Sequence, residues 1–241
     1  MKGVTMKDTM NGSPESGQRG TPTRVSVGSV VFLSLAAASL CLCFTSVLGQ
    51  EPDPAIGDVF SLPDCPILDT PFDDRTRVFT DKGRELRVCC MECKERYYQE
   101  SFFVMSKIDE QLVAQQKPFY PVTTCIVDDK PFADKDAINH IFRNRLFRLC
   151  GDKCRESLEK QPAKFFGKLD AAVVEKQKPN YPLMKCVVSG KTLGKDALDH
   201  VVANQLVRLA SLEQLDKFNR TPGKYLEQVR KAAEKERSRM Q

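Results

Sequence analysis

Tryptophan is absent from this 241-residue chain, and histidine occurs only twice, as His140 and His200. Two histidines leave no credible Ser/His/Asp constellation, no glycine-rich phosphate loop is present, and the acidic residues are scattered without an evident pair. The expectation is therefore a protein that is not an enzyme. Strong charge is missing too. Lys and Arg number 37 against 32 for Asp and Glu, and no block of about five like charges appears, so no nucleic-acid partner is expected. Phe72, Phe132, Phe142, Phe147, Tyr97 and Tyr98 read as core residues and not as a platform for stacked bases.

Long apolar runs are confined to the start of the chain. Lys2, Lys7, Arg19 and Arg24 precede a charge-free stretch from Val25 to Leu48, and Gln50-Glu51-Pro52-Asp53-Pro54 then turns abruptly polar. This is the order of a signal peptide with a long basic n-region, cleaved near Gly49. The run spans about 24 residues, enough to cross a bilayer as an N-terminal anchor over 25–48 if it is retained. Either outcome exports the remainder, to a periplasmic or secreted location or to a membrane-anchored one. Residues 1–49 carry four basic and two acidic side chains, leaving 33 against 30 in the rest.

What is abundant is cysteine. Cys41 and Cys43 lie inside the apolar run; Cys65, Cys89, Cys90, Cys93, Cys125, Cys150, Cys154 and Cys186 follow it. An even count in an exported chain ordinarily implies disulfides, but here the cysteines sit within an internal repetition. Tyr120-Pro121-Val-Thr-Thr-Cys125-Ile-Val matches Tyr181-Pro182-Leu-Met-Lys-Cys186-Val-Val at an offset of 61, and Asp136-Ala137-Ile138-Asn139-His140 matches Asp196-Ala197-Leu198-Asp199-His200 at 60. Arg148-Leu149-Cys150 recurs as Arg87-Val88-Cys89 and as Arg208-Leu209-Ala210. After a linker at 50–59, three units are expected at 60–118, 119–179 and 180–235, with a short tail at 236–241.

Each unit has one internal order. A cysteine with a β-branched pair (Cys125-Ile-Val, Cys186-Val-Val) implies a first turn and strand. A hairpin follows, its strands flanking Asp81-Lys82-Gly83 in the first unit and Asn144 in the second. A Cys-x3-Cys pair then opens a helix. Pro162 and Pro222 suit the first position of a second helix, whose apolar residues recur at helical spacing, as in Phe165, Phe166, Leu169 and Val173. Lys117-Pro118 and Lys178-Pro179 end these helices. The fold class is α+β, and such a unit needs its neighbours, a metal or disulfides to be stable.

Unit one carries Cys65, 23 intervening residues, then Cys89-Cys90-Met-Glu-Cys93; unit two carries Cys125, 24 residues, then Cys150-Gly-Asp-Lys-Cys154. The hairpin folds the chain back and places two cysteines at a helix N-terminus beside the first. Exposed N–H groups and the helix dipole there favour thiolate, the form that binds metal. Cysteine, some twenty to twenty-four residues, then Cys-x3-Cys after an apolar strand resembles the TRASH/YHS metal-binding domain. The segments Arg87-Val-Cys-Cys-Met-Glu-Cys93 and Tyr181-Pro-Leu-Met-Lys-Cys-Val-Val-Ser-Gly190 are similar to exported YHS-like proteins of environmental bacteria. The resemblance implies small treble-clef-like zinc-finger units, an association with heavy-metal handling or resistance, and ligands at Cys65, Cys89 and Cys93, then at Cys125, Cys150 and Cys154.

Unit three departs from the pattern, with Ala210 and Gln214 in place of the helix cysteines, and reads as a degenerate copy kept for packing. Four ligands are wanted for a tetrahedral structural site. Cys90 is the candidate fourth in unit one; in unit two it is His140, a water or Cys186. His200 persists where the helix cysteines are gone, so both histidines also read as partly buried hydrogen-bonding groups. A different parse pairs Cys89 and Cys93 with Cys125, and Cys150 and Cys154 with Cys186. Three or four thiolates suit zinc and equally copper(I). The alternatives are a structural or interaction protein whose cysteines form disulfides or a zinc staple, and a thiol–disulfide oxidoreductase using Cys90-Met-Glu-Cys93, which lacks a thioredoxin-like βαβ context.

Overall fold

A computed structural model describes residues 57–240; the proposed leader at 1–49 and most of the 50–59 linker lie outside the described residues. No helix among the described residues is long and apolar enough to cross a membrane. Strands β1 (Arg77–Asp81) and β2 (Arg84–Val88) form an antiparallel hairpin followed by helices α1 (Met91–Gln99) and α2 (Ser101–Gln116). The same order returns as β3 (Ile138–Phe142), β4 (Arg145–Leu149), α3 (Asp152–Lys160) and α4 (Pro162–Gln177). It returns again as β5 (Leu198–Val202), β6 (Gln205–Leu209), α5 (Gln214–Arg220) and α6 (Pro222–Met240). Helix α6 runs on through 236–240, where a tail is expected from the sequence.

The hairpins have two-residue loops with both residues in the left-handed region: Lys82-Gly83, Arg143-Asn144 and Ala203-Asn204. This conformation matches the right-handed twist of the strands and favours Gly and Asn at the second position. Helices α2 and α4 are each followed by a Lys-Pro 3-10 turn, Lys117–Phe119 and Lys178–Asn180, because proline cannot continue the hydrogen-bond ladder. The glutamine before each turn reaches the next hairpin. Gln116, fully buried, accepts from the Leu146 N–H at 2.7 Å and donates to the Asn144 carbonyl at 2.8 Å. Gln177 does the same to the Leu206 N–H and the Asn204 carbonyl, both at 2.9 Å.

One apolar core underlies each hairpin. Leu86, Tyr97, Val104, Ile108 and Leu112 form the first, Leu146, Phe147, Leu158, Phe166 and Leu169 the second, and Val207, Leu209, Phe218 and Leu226 the third. The spacing of Val104, Ile108 and Leu112 is one helical face of α2. Tyr97 and Phe147 are core residues as expected, whereas Tyr98 is exposed (58 %).

A polar centre joins the three. Asp58 takes the Arg145 guanidinium in a two-pronged pair, Nε to Oδ2 at 2.5 Å and Nη2 to Oδ1 at 2.7 Å, and also accepts the Ala203 N–H at 2.6 Å. Arg145 reaches Asp170 of α4 at 2.7 Å and the Val201 carbonyl at 3.1 Å. Asn144 accepts from Arg84 at 3.1 Å and donates to the Glu85 carbonyl at 2.7 Å. The third hairpin unit then closes back on the first: Arg87 donates to the carbonyls of Arg220 (2.6 Å) and Asn219 (2.5 Å) at the end of α5. There the last carbonyls of a helix lack intrahelical partners and attract a cation.

Gly223, in the first turn of α6, faces Pro63 across this closure; a Cβ there would lie 2.7 Å from the Pro63 N and Cα and 2.8 Å from the Leu62 carbonyl carbon. Backbone cannot swing aside as a side chain does. Gly223→Ala is expected to cost about 1–3 kcal/mol of unfolding free energy, the usual range for overpacking. Gly167→Ala within α4, where a Cβ meets nothing within 4 Å, should instead gain roughly 0.5–1 kcal/mol. Urea titrations of the two variants check the contrast.

Candidate metal centre

The lone cysteine of each unit starts a tight knuckle, and the first strand expected there is not formed. The Cys65 N–H donates to the Thr70 carbonyl and its carbonyl accepts from the Asp69 N–H, both at 2.8 Å, with a single bridge between Asp64 and Pro71 closing the loop. Cys125 pairs likewise with Lys130 (2.8 Å) and Asp129 (2.9 Å), and Cys186 with Lys191 and Gly190 (both 2.8 Å). Asp69, Asp129 and Gly190 take the left-handed conformation that the turn requires. The β-branched pair is thus spent on turning, because the chain must return within six residues.

The hairpin brings the other cysteines to this knuckle. Strand β2 ends at Val88 and β4 at Leu149, so Cys89 and Cys150 leave the sheet as the helix begins; Cys93 and Cys154 lie in the first turns of α1 and α3. The Sγ atoms of Cys65, Cys89 and Cys93 all lie within 4.8 Å of one another. In the second unit the Sγ atoms of Cys125, Cys150 and Cys154 and a carboxylate oxygen of Asp128 do the same. Cys89 and Cys93 are 3.6 Å apart, Cys150 and Cys154 3.5 Å. All eight described cysteines are free thiols. These separations far exceed a sulfur–sulfur bond of about 2.05 Å, and they approach the edge of about 3.8 Å that four sulfurs at 2.3 Å from a zinc ion would span.

The two sets differ in burial. Cys65, Cys89 and Cys93 are all buried, walled by Val88, Ile67, Phe72 and Phe79. In the second set Cys125 and Cys154 are buried but Cys150 is exposed. Cys90 sits at the N-cap of α1, its Sγ 3.7 Å from that of Cys89 but outside the mutually close trio. Cys186 lies in the third core, and no ligand set includes it among the described residues. The pairing of Cys89 and Cys93 with Cys125, and of Cys150 and Cys154 with Cys186, is therefore not the grouping that the fold produces.

His140 and His200 stand apart from the thiols. His140 stacks on Phe142 and its Nε2 lies 3.5 Å from Glu159; His200 meets the ring of Phe218 edge-on. Burial pushes both imidazoles below the ordinary value. The group that sequence reasoning overlooked is Asp128. Its oxygens lie 3.4 and 3.5 Å from the Cys150 Sγ. Its carboxyl is held well below the usual range, first by the Cys125 thiol and then by Lys130, which pairs with it at 3.0 Å. The spacing Cys125-x2-Asp128 was the available signal.

The preference for thiolate expected at the helix N-termini is outweighed. Burial pushes the thiols of Cys89, Cys93 and Cys150 up, and that of Cys154 to about 12; adjacent thiols add to the shift at Cys93 and Cys154. Cys65 goes the other way: burial opposes ionisation, but the backbone hydrogen bonds of Leu68, Cys89 and Ile67 prevail and lower its pKa. Three thiols crowded together cannot all ionise without a cation, so a metal ion held there would displace protons. No family model matches the chain, and neither do the curated proteins or the solved structures compared with it.

Proposed function

We propose that this chain is an exported metal-binding protein with two cysteine-thiolate sites of the zinc or copper type, serving metal handling or resistance and catalysing no reaction. The observation that carries the reading is the convergence of two separate ligand sets, each from a knuckle and a helix N-terminus. Three TRASH/YHS-like, treble-clef-like units at 60–118, 119–179 and 180–235 account for it, the third lacking the helix cysteines and kept for packing. The leader at 1–49 directs the chain out of the cytoplasm, to the periplasm or medium, or to a membrane through 25–48. The metal ion is the one partner assigned.

A structural role, with the metal acting as a staple or the cysteines as disulfides, is the second reading; the small size of each unit favours it. The deciding experiment is metal analysis with thiol counting on protein isolated from its native compartment. About two ions per chain are expected, and Cys150→Ser with Cys154→Ser should remove one of them while leaving the other. A chain that carries no metal and shows no free thiol before reduction would overturn the proposal.

A further inference from the structure

The two ligand sets have equivalent positions in their units but different chemistry. In unit two the residue three after the knuckle cysteine is Asp128. In unit one it is Leu68, an exposed alkyl side chain, in the sequence Cys65-Pro-Ile-Leu68. We infer that the two sites divide two kinds of metal ion between them. Asp128 completes a three-sulfur, one-oxygen site for a divalent ion of the zinc class; Cys65, Cys89 and Cys93 form a three-thiolate site for a soft monovalent ion of the copper(I) class. This inference rests on the metal-binding reading above and adds to it the identity of the fourth ligand and the selectivity of each site.

The distances carry the first half. A tetrahedral ion at about 2.3 Å from sulfur and about 2.0–2.2 Å from oxygen places neighbouring sulfur and oxygen about 3.5 Å apart. Asp128 and Cys150 already stand at 3.4 and 3.5 Å, and Cys150 and Cys154 at 3.5 Å. A borderline ion that prefers four ligands finds four candidate donors within 4.8 Å of one another here, and hard oxygen beside sulfur disfavours a soft monovalent ion. Cys150 is exposed, so the site has a route for entry and release.

Burial and the missing donor carry the second half. The unit-one thiols are 0 %, 7 % and 3 % exposed, and Val88, Ile67, Phe72 and Phe79 pack around them. No carboxylate belongs to the unit-one set, where exposed Leu68 stands in the place of Asp128. Cys90 packs against this cluster, with its Sγ 3.7 Å from that of Cys89, but it stands outside the mutually close trio. Three buried soft donors suit an ion that is satisfied by two or three thiolates, whereas zinc held by this trio would be left one ligand short.

The test uses the chain from Gln50 onward, kept reduced and free of oxygen, as wild type, Asp128→Ala and Leu68→Asp. Zinc(II) affinity is measured against a chromophoric chelator, and copper(I) against a chromophoric copper(I) chelator. Cobalt(II) serves as the spectroscopic stand-in for zinc. Asp128→Ala is expected to weaken zinc binding at least about tenfold and to change the cobalt ligand-field bands, with copper(I) affinity held within about twofold. Leu68→Asp should create a second zinc site, raising tight zinc uptake from one ion to two. Both positions are on partly exposed turns, and Leu68→Asp decides the matter even if Asp128→Ala fails to fold. Unchanged zinc affinity in Asp128→Ala, or no gain in Leu68→Asp, overturns the inference while the metal-binding reading stands. A folded wild-type chain that takes up neither ion overturns both.

Discussion

Replacing Asp58 with alanine is expected to lower the unfolding free energy by about 3–5 kcal/mol, the range for removing one partner of a buried ion pair. The side chains of Asp58 and Arg145 are 4 % and 1 % exposed, so the guanidinium cannot turn to water when its partner goes. Asp170 remains, but it is 41 % exposed and bonds a different nitrogen, Nη1. The Ala203 N–H also loses its acceptor, and Ala203 is a buried residue held at a positive φ of 52°, a strained conformation for a side chain with a Cβ. Asp58→Leu combined with Arg145→Met should recover much of the loss, since apolar replacements of a buried pair are often neutral. Urea titration measures both. A loss below about 1 kcal/mol for Asp58→Ala, the value of a solvent-exposed pair, would show that water reaches this centre.

Removing the metal is expected to have the second large effect. An ion held at a free concentration a thousandfold above its dissociation constant stabilises the fold by about 4 kcal/mol. For a chain of this size that corresponds to roughly ten degrees of melting temperature per ion. Chelation should therefore lower the melting temperature of metal-loaded protein in two steps, without erasing its far-ultraviolet helical signal at room temperature. The hairpins retain apolar core residues that are not ligands, Leu86 and Ile108 in the first unit and Phe147 and Leu169 in the second. After chelation Cys150 and Cys90, the two described cysteines that are not buried, should react first with a thiol reagent, and the chain from Gln50 onward should titrate eight thiols on denaturation. Melting that ignores chelator and falls only with reductant would point to a disulfide scaffold instead.

Much of the architecture is written locally and so could be read from the sequence. Lys82-Gly83 and Arg143-Asn144 mark hairpins because few residues tolerate the left-handed region, and Pro162, Pro222, Lys117-Pro118 and Lys178-Pro179 punctuate helices because proline lacks an N–H. The cysteine spacing was legible for the same reason: a hairpin of fixed length returns the chain to its start. The knuckle was misread because Ile126-Val127 has the composition of a strand while the backbone around it turns. Asp128 was missed because a search for soft ligands passes over a carboxylate, although its offset from Cys125 is that of a chelating turn. The Asp58–Arg145 pair spans 87 residues, and nothing local to either residue announces the other. Tyr98 reads as core by type, yet Tyr97 is the one that turns inward and donates to Asp81 at 2.5 Å.

The position of Asp58 in the chain constrains the order in which the molecule can be completed. The acceptor stands at the beginning of the described residues, and the groups it must meet, Arg145 and the Ala203 N–H, follow 87 and 145 residues later. Local hairpins and helices form as soon as their own residues are free, but loops of this length close late and slowly. A chain emerging from its N-terminus therefore carries an unneutralised lock through most of its synthesis, and its three units can settle around one another only once the third hairpin has appeared.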